Sequence, residues 1–377
     1  MLRNPDQPGD SHRLMGRVGL RLPSTLLAIE VVAVGLLLVA VALAYLSHSI
    51  DMEYFYNSDQ LYLPALFRDL LSEGGSYAEW NLTPAPYFFP DWPIYFAGYV
   101  VSGGSTYYAT LVYALLQLGL TYVLLRAIYG ELFEGNRRVY VSLACFGVLV
   151  ATTLSGVSPI RISLVSARHW GDLLAGLLCI WLCLRILSHP RREGLYVAAL
   201  GGAAFLAGIS DAIHLAHFSL PLLLTAAYLL WRKQIQGRDF LRIGALPVIA
   251  AEIGSRLTTA VMPRRHVFKA RFGFDDVSEN LEEAWRVIER AVAHDPLTLA
   301  LIPLFYAATI VFIVRYARNR EPESLKPNFV TSFAFVSAAV WLGVALFALF
   351  VTDARYWAPG FTLPLLLFFA PAAGLAP

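Results

Sequence analysis

The stretch "STLLAIEVVAVGLLLVAVALAYLS", Ser24 to Ser47, decides the fold, and "YFYNSDQLYLPALFRDLLSEGG", Tyr54 to Gly75, follows at once. About 20 apolar residues carry a helix across a bilayer. The first stretch exceeds the core of a signal peptide and has no convincing cleavage site, so it reads as a retained anchor. The second stretch then presents Asn57-Ser58-Asp59-Gln60, polar and acidic, ahead of an amphipathic pattern. A second acidic knot, "YFFPDWPIYF", surrounds Asp91.

Composition extends the same conclusion to the whole chain. Of 377 residues, 57% are hydrophobic and 15% charged, against about 25% charged in an ordinary soluble domain. Mean hydropathy is +0.58. So few charges cannot coat a soluble globule, and an all-α polytopic membrane protein is expected. A net charge of +2 without a basic arm argues against nucleic acid as a partner. Cys145, Cys179 and Cys183 lie within apolar segments. No other Cys or His has ligand spacing to the last two, so all three read as buried, inert thiols.

On the length criterion about ten spans are expected: Ser24–Ser47, Ser105–Tyr129, Val139–Ser155, Trp170–Leu187, Leu195–Ile209, His214–Trp231, Leu241–Ile253, Leu297–Tyr316, Phe329–Val351 and Ala358–Ala373. The fifth and seventh are short, and Trp92–Val101 is too short to span. With the N-terminus inside, 18 of the 29 Lys and Arg residues fall on the inner side, as the positive-inside rule requires. Residues 1–23 then form a cytoplasmic tail and 24–377 one transmembrane domain. Inner connections are short and basic. The two long loops, 51–104 and 254–295, face outward, and long ordered loops are usually functional.

Each loop contains a helix signal. Pro64 suits a first turn, Leu66, Phe67, Leu70 and Leu71 form one apolar side, and Gly74-Gly75 stops the run. In the second loop Asp276 and Glu279 match a capping box. Leu281, Trp285, Ile288 and Val292 then recur at helical spacing. Both helices are expected to lie flat on the membrane surface.

Polar residues collect at the outer ends of the spans. They are Asp59 and Asp91; Arg161, Arg168 and His169; Asp211, His214 and His217; Arg264, Arg265, His266, Lys269 and Arg271; and Asp353, Arg355 and Tyr356. Ionisable groups at membrane depth are costly and read first as functional. Asp59 and Asp91 are the candidate catalytic carboxylates, since a base beside a hydroxyl acceptor can take its proton. Asp59 could instead cap the following helix, and Asp91 could brace a proline turn. Arg161, His214, Arg264, Arg265, Lys269, Arg355 and Tyr356 are candidate substrate-binding residues. The guanidinium groups would grip a phosphate headgroup and Lys269 would add a mobile charge; attraction to anionic lipid, or Asp353 pairing with Arg355, would account for the same charges. Asp211, His214 and His217 could hold a divalent metal. Their spacing is not a defined ligand motif, and a hydrogen-bonded patch lining a cavity fits them better.

In architecture the sequence resembles the GT-C superfamily of integral-membrane glycosyltransferases, which includes protein mannosyltransferases and the aminoarabinose and arabinofuranosyl transferases. The likeness is a cytoplasmic N-terminus, a first span, and a large outer loop opening with an acidic residue, here in "EYFYNSDQLYLPALFRDLL". It extends loosely over the whole chain. The resemblance implies a bundle around an outward-facing cavity in a bacterial inner (plasma) membrane. It also implies a polyprenyl-phosphate sugar as donor substrate, with a glycan, lipid or protein as acceptor. Asp59 would stand at the family's catalytic acidic position. Many members carry an Asp-Asp or Asp-Glu pair where this sequence has Ser58-Asp59, and many continue into further spans or a soluble domain. A transporter or flippase of a lipid-linked or anionic substrate is the alternative. Transporter halves often repeat, and no repeat is evident here.

Overall fold

Contacts at both ends of the first helix set the direction of its neighbour. In the computed structural model, residues 24–156, 160–262, 277–294, 296–319, 325–347 and 358–373 are described. Helix α1 (Ser24–Leu46) is followed by the short helices α2 (Tyr62–Arg68) and α3 (Asp91–Val101), then by α4 (Thr106–Leu132). Near the start of α1, Glu30 accepts from Arg126 Nε (2.8 Å) and Tyr122 O–H (2.6 Å) near the end of α4. Near its other end, Tyr45 O–H donates to the Tyr107 carbonyl (3.0 Å) at the start of α4. The two helices are therefore antiparallel.

The chain continues through α5 (Arg137–Ser155), α6 (Trp170–Ser188), α7 (Glu193–Ser210), α8 (Leu220–Trp231), α9 (Gly237–Phe240) and α10 (Leu246–Val261). Beyond these lie α11 (Val277–His294), α12 (Pro296–Asn319), α13 (Leu325–Phe347), α14 (Ala358–Leu366) and α15 (Ala370–Ala373). The described residues contain no strand. The described residues of the ten expected segments are helical, although α8 and α10 are each preceded by a π-turn and the last segment is broken in two. Among the described residues five helices, α1, α4, α5, α6 and α7, are long and apolar enough to cross a membrane.

Polar pairing marks one end of the bundle. There Glu131 binds Arg185 (2.8 Å) and Lys326 (3.0 Å), and Glu193 binds Arg238 (3.2 Å) and Arg242. We call this the basic end and the opposite one the site end. Helix α6 is the central element, with Trp170, Leu177, Cys179, Ile180, Cys183 and Leu184 all fully buried. All three cysteines are buried and free, as expected.

Two loop expectations need correction. Residues 254–261 are not loop, because α10 runs on to Val261. The cause is a close approach to α7, where an added Cβ on Gly208 would collide with the Ala251 carbonyl and one on Gly254 with the Phe205 carbonyl. Glycines let two backbones meet this closely, and the contact carries the helix past the point where apolar composition fades. Nor does α2 lie free on a surface. Leu66 and Phe67 are buried, and the Phe67 ring packs on Trp92, Tyr95, Phe96 and Tyr99 of α3. In α11, Leu281 and Trp285 are exposed together, as an interfacial helix requires. Asp276 of its expected capping box lies outside the described residues, as does the tail 1–23.

Replacing Gly208 with Ala is expected to cost about 1–3 kcal/mol through overpacking, read as a lower melting temperature in detergent. Gly202→Ala, on the same helix with no atom within 4 Å of the added Cβ, should melt no lower than the parent. Equal melting of the two variants would refute the close packing of α7 on α10.

Candidate functional site

The polar loop after α1 is organised by Asn57. Its Oδ1 accepts from the backbone N–H of Asp59 (3.1 Å) and of Gln60 (3.4 Å), an Asx turn. The N-cap of α2 is Leu61, which has no side-chain cap. Asp59 is thus not the helix cap. Its side chain is 42% exposed and meets Arg168 Nη2 at 3.5 Å. Arg168 also reaches Asn57 Oδ1 (3.5 Å) and lies over the Tyr54 ring, 5.7 Å from its centroid. Beside Asp59, Gln60 is 2% exposed, yet neither amide atom has a hydrogen-bond partner. An unpaired buried amide costs about 1–3 kcal/mol, and this one adjoins Asp59 along the chain.

Arg161 lies on a 3-10 turn, Ile160–Leu164, between α5 and α6. Its guanidinium covers Gly156, at φ +91°, where a Cβ would collide with it. Its buried Nε has no hydrogen-bond partner. Ser166 of the same connection donates to the Gln60 carbonyl (3.5 Å), which draws this segment onto the Asp59 loop.

Asp91 has a different setting. It is 1% exposed and lies against the N-terminus of α6, where a Cβ on Gly171 would collide with its Oδ2. Oδ1 accepts from Tyr113 O–H (2.6 Å) and from Ala167 N–H (3.4 Å). The Tyr113 oxygen also faces Gln117 Oε1, while Gln117 Nε2 donates to the Ser163 carbonyl (2.7 Å) and thereby fixes the amide. One phenolic proton cannot serve two acceptors. When Asp91 is protonated it can instead donate to Tyr113, leaving Tyr113 to donate to Gln117. Burial pushes the Asp91 carboxyl up to about 6; the Tyr113 and Ala167 donors oppose the shift and the Asp211 carboxylate adds to it. Asp91 is therefore a buried carboxyl, out of solvent, whereas Asp59 is partly exposed.

Asp211, His214 and His217 do not converge on a common point. Asp211 pairs with His169 Nδ1, whereas His214 and His217 both turn Nδ1 to Asp172, at 2.7 Å for His217. Among the described residues no group of three His, Cys, Asp or Glu side chains could hold a metal ion. The chain instead builds the hydrogen-bonded patch that the spacing favoured. Asp172 escaped sequence reading because it sits inside an apolar run, and its only signal was a lone acid one turn into a span.

Backbone strain gathers at the same end. Tyr87, Ala167 and His169 all adopt positive φ, at 58°, 57° and 66°. Such non-glycine conformations cost of order 1–3 kcal/mol and persist where surrounding contacts enforce them. The enforcing contacts are visible. Tyr87 N–H donates to the Ser210 carbonyl (3.1 Å), Phe89 N–H to Ser210 Oγ (2.6 Å), and the Tyr87 ring packs on His169. Arg264, Arg265, His266, Lys269, Arg271, Asp353, Arg355 and Tyr356 lie outside the described residues.

No protein-family model matches this chain, and neither a curated protein nor a solved structure does.

The raised Asp91 carboxyl makes a pH-dependent contribution of defined sign. Because its folded value is raised, the stabilisation is fully present below the unfolded value of 3.8 and is lost as pH rises through about 6. Asp91→Asn, neutral at every pH, should gain in melting temperature relative to wild type as pH is raised from about 4 to about 7. A constant difference across that interval would show that Asp91 does not titrate there.

Proposed function

We propose that this chain is a membrane glycosyltransferase that moves a sugar from a polyprenyl-phosphate donor to a glycan, lipid or protein acceptor outside the cytoplasm. One observation carries the proposal. Asp59 is a half-exposed carboxylate released from capping, held at the mouth of the bundle beside Arg168 and next to an unsatisfied buried amide. In the proposed reaction Asp59 takes the proton of the acceptor hydroxyl. The acceptor oxygen bonds to the anomeric carbon as the bond from that carbon to the phosphate oxygen breaks. The departing phosphate keeps the electron pair, and Arg168 and Arg161 are the cations at this end suited to it. Arg264, Arg265, Lys269 and Arg355 remain candidates for the same headgroup. General-base loss typically lowers a rate about 10²- to 10⁴-fold. Asp59→Asn should therefore insert, fold and bind donor, yet transfer sugar at such a reduced rate; near-wild-type transfer would refute the role.

The site end is proposed to be extracytoplasmic, with ten crossings and the N-terminus inside. Helix α4 and the Arg-rich connections at the basic end suit this placement. In a background free of the native cysteines, a cysteine at Ser76 or Ser278 should label with an impermeant thiol reagent in intact cells. One at Asn136 should label only after the cells are opened. Protection of both outer positions would reverse the topology.

The buried Asp172–His214–His217 group supports a second reading, a transporter or flippase, since carboxylate–imidazole clusters at membrane depth mark proton relays. The two readings separate in proteoliposomes. Substrate translocation that survives Asp59→Asn but is lost in Asp172→Asn would favour transport.

A further inference from the structure

A groove of about 830 Å³ opens beside α2, close along the chain to Asp59. Its lining includes Arg68, Asp69, Glu73, Glu79, Trp80 and Asn81. Within it, one carboxylate and one indole are fixed against each other. The Trp80 indole N–H donates to Asp69 Oδ2 (2.6 Å), and the Trp80 ring meets Tyr62 edge to face. The Asp69 carboxylate lies over Gly75, where any Cβ would collide with it, and Gly75 N–H donates to the Asp69 carbonyl (3.0 Å). Gly74, at φ 74°, makes the turn that brings Gly75 beneath it. The Gly-Gly pair therefore ends a helix and also seats a carboxylate.

Charge selects the occupant. Arg68 is paired with Glu73 at 2.8 Å, and among the described residues no cation pairs with Asp69 or Glu79. A phosphate or uronate would meet these two like charges, and a hydrocarbon chain would offer no donor to Asp69 Oδ1 or to Glu79. A sugar ring meets both features, with its C–H face on the indole and adjacent hydroxyls donating to Asp69 Oδ1 and to Glu79. We propose that this groove binds an uncharged saccharide. Its role as the acceptor subsite rests on the glycosyltransferase reading, whereas the binding does not.

The test uses the full chain in a detergent without a sugar headgroup. It is passed over immobilised neutral oligomers of glucose, mannose and galactose beside oligomers of uronic acids. Retention on at least one neutral oligomer and on no uronic-acid oligomer is expected. Asp69→Asn should weaken that retention roughly tenfold to a hundredfold through loss of a charged acceptor. Trp80→Phe, which keeps an aromatic face but frees the carboxylate, should weaken it less, with both variants melting like the parent. Asp59→Asn should bind as the parent does. The proposal is overturned by retention on none of the neutral oligomers, by equal retention on uronic acids, or by unchanged binding in folded Asp69→Asn. Sugar transfer lost in Asp59→Asn but unaffected by the groove variants would overturn the groove's role as acceptor subsite. Saccharide binding with active Asp59→Asn would overturn only the transfer chemistry.

Discussion

One buried carboxylate, Asp172, holds two imidazoles, and much of the site end depends on that contact. Asp172 belongs to the most enclosed helix of the bundle, while His214 and His217 come from the turn between α7 and α8. A carboxylate this enclosed must be paired, because desolvation without a partner costs several kcal/mol per ion. The pairing clamps the π-turn at the start of α8 onto α6. That in turn fixes Asp211 beside His169, and Ser210 where it can hold the backbone of Tyr87 and Phe89. The loop between α1 and α4 is thus fastened to the core through a chain of polar contacts. Removing one member of such a set typically costs 3–5 kcal/mol, since the survivor stays buried and charged.

The basic end obeys the same rule with different side chains. Glu30 would be an isolated acid within an apolar helix were it not met by Arg126 and Tyr122. Glu131 gathers Arg185 and Lys326 from two other helices. These groups tie helices together, so a carboxylate within a span is not by itself evidence of chemistry here. Asp59 differs from all of them in exposure and in the looseness of its contact with Arg168.

The two candidate carboxylates lie in different environments for a physical reason. Asp91 is enclosed among backbone and aromatic groups, and burial raises its carboxyl to about 6. Asp59 follows an Asx turn in a loop that leaves its side chain 42% exposed beside Arg168. In the proposed reaction an incoming hydroxyl can reach the second carboxylate without displacing packed side chains, whereas the first is held by Tyr113 and the backbone of Ala167.

Apolar length determined the helical class and the five helices long enough to span, because the 20-residue scale of a bilayer is written directly into a run such as Ser24–Ser47. Periodicity located α2 and α11, and the clustering of Asp59, Arg161, Arg168, His169 and Asp211 at the ends of apolar runs was legible as composition. Partnership was not. That Arg168 meets Asp59 and Asn57, or that His214 and His217 share Asp172 while Asp211 pairs with His169, depends on residues some 40 to 110 positions apart. The continuation of α10 past Gly254 depended likewise on a neighbouring backbone. Sequence spacing reports which groups share a helix face, whereas pairing depends on which helices become neighbours, and only the packed bundle decides that.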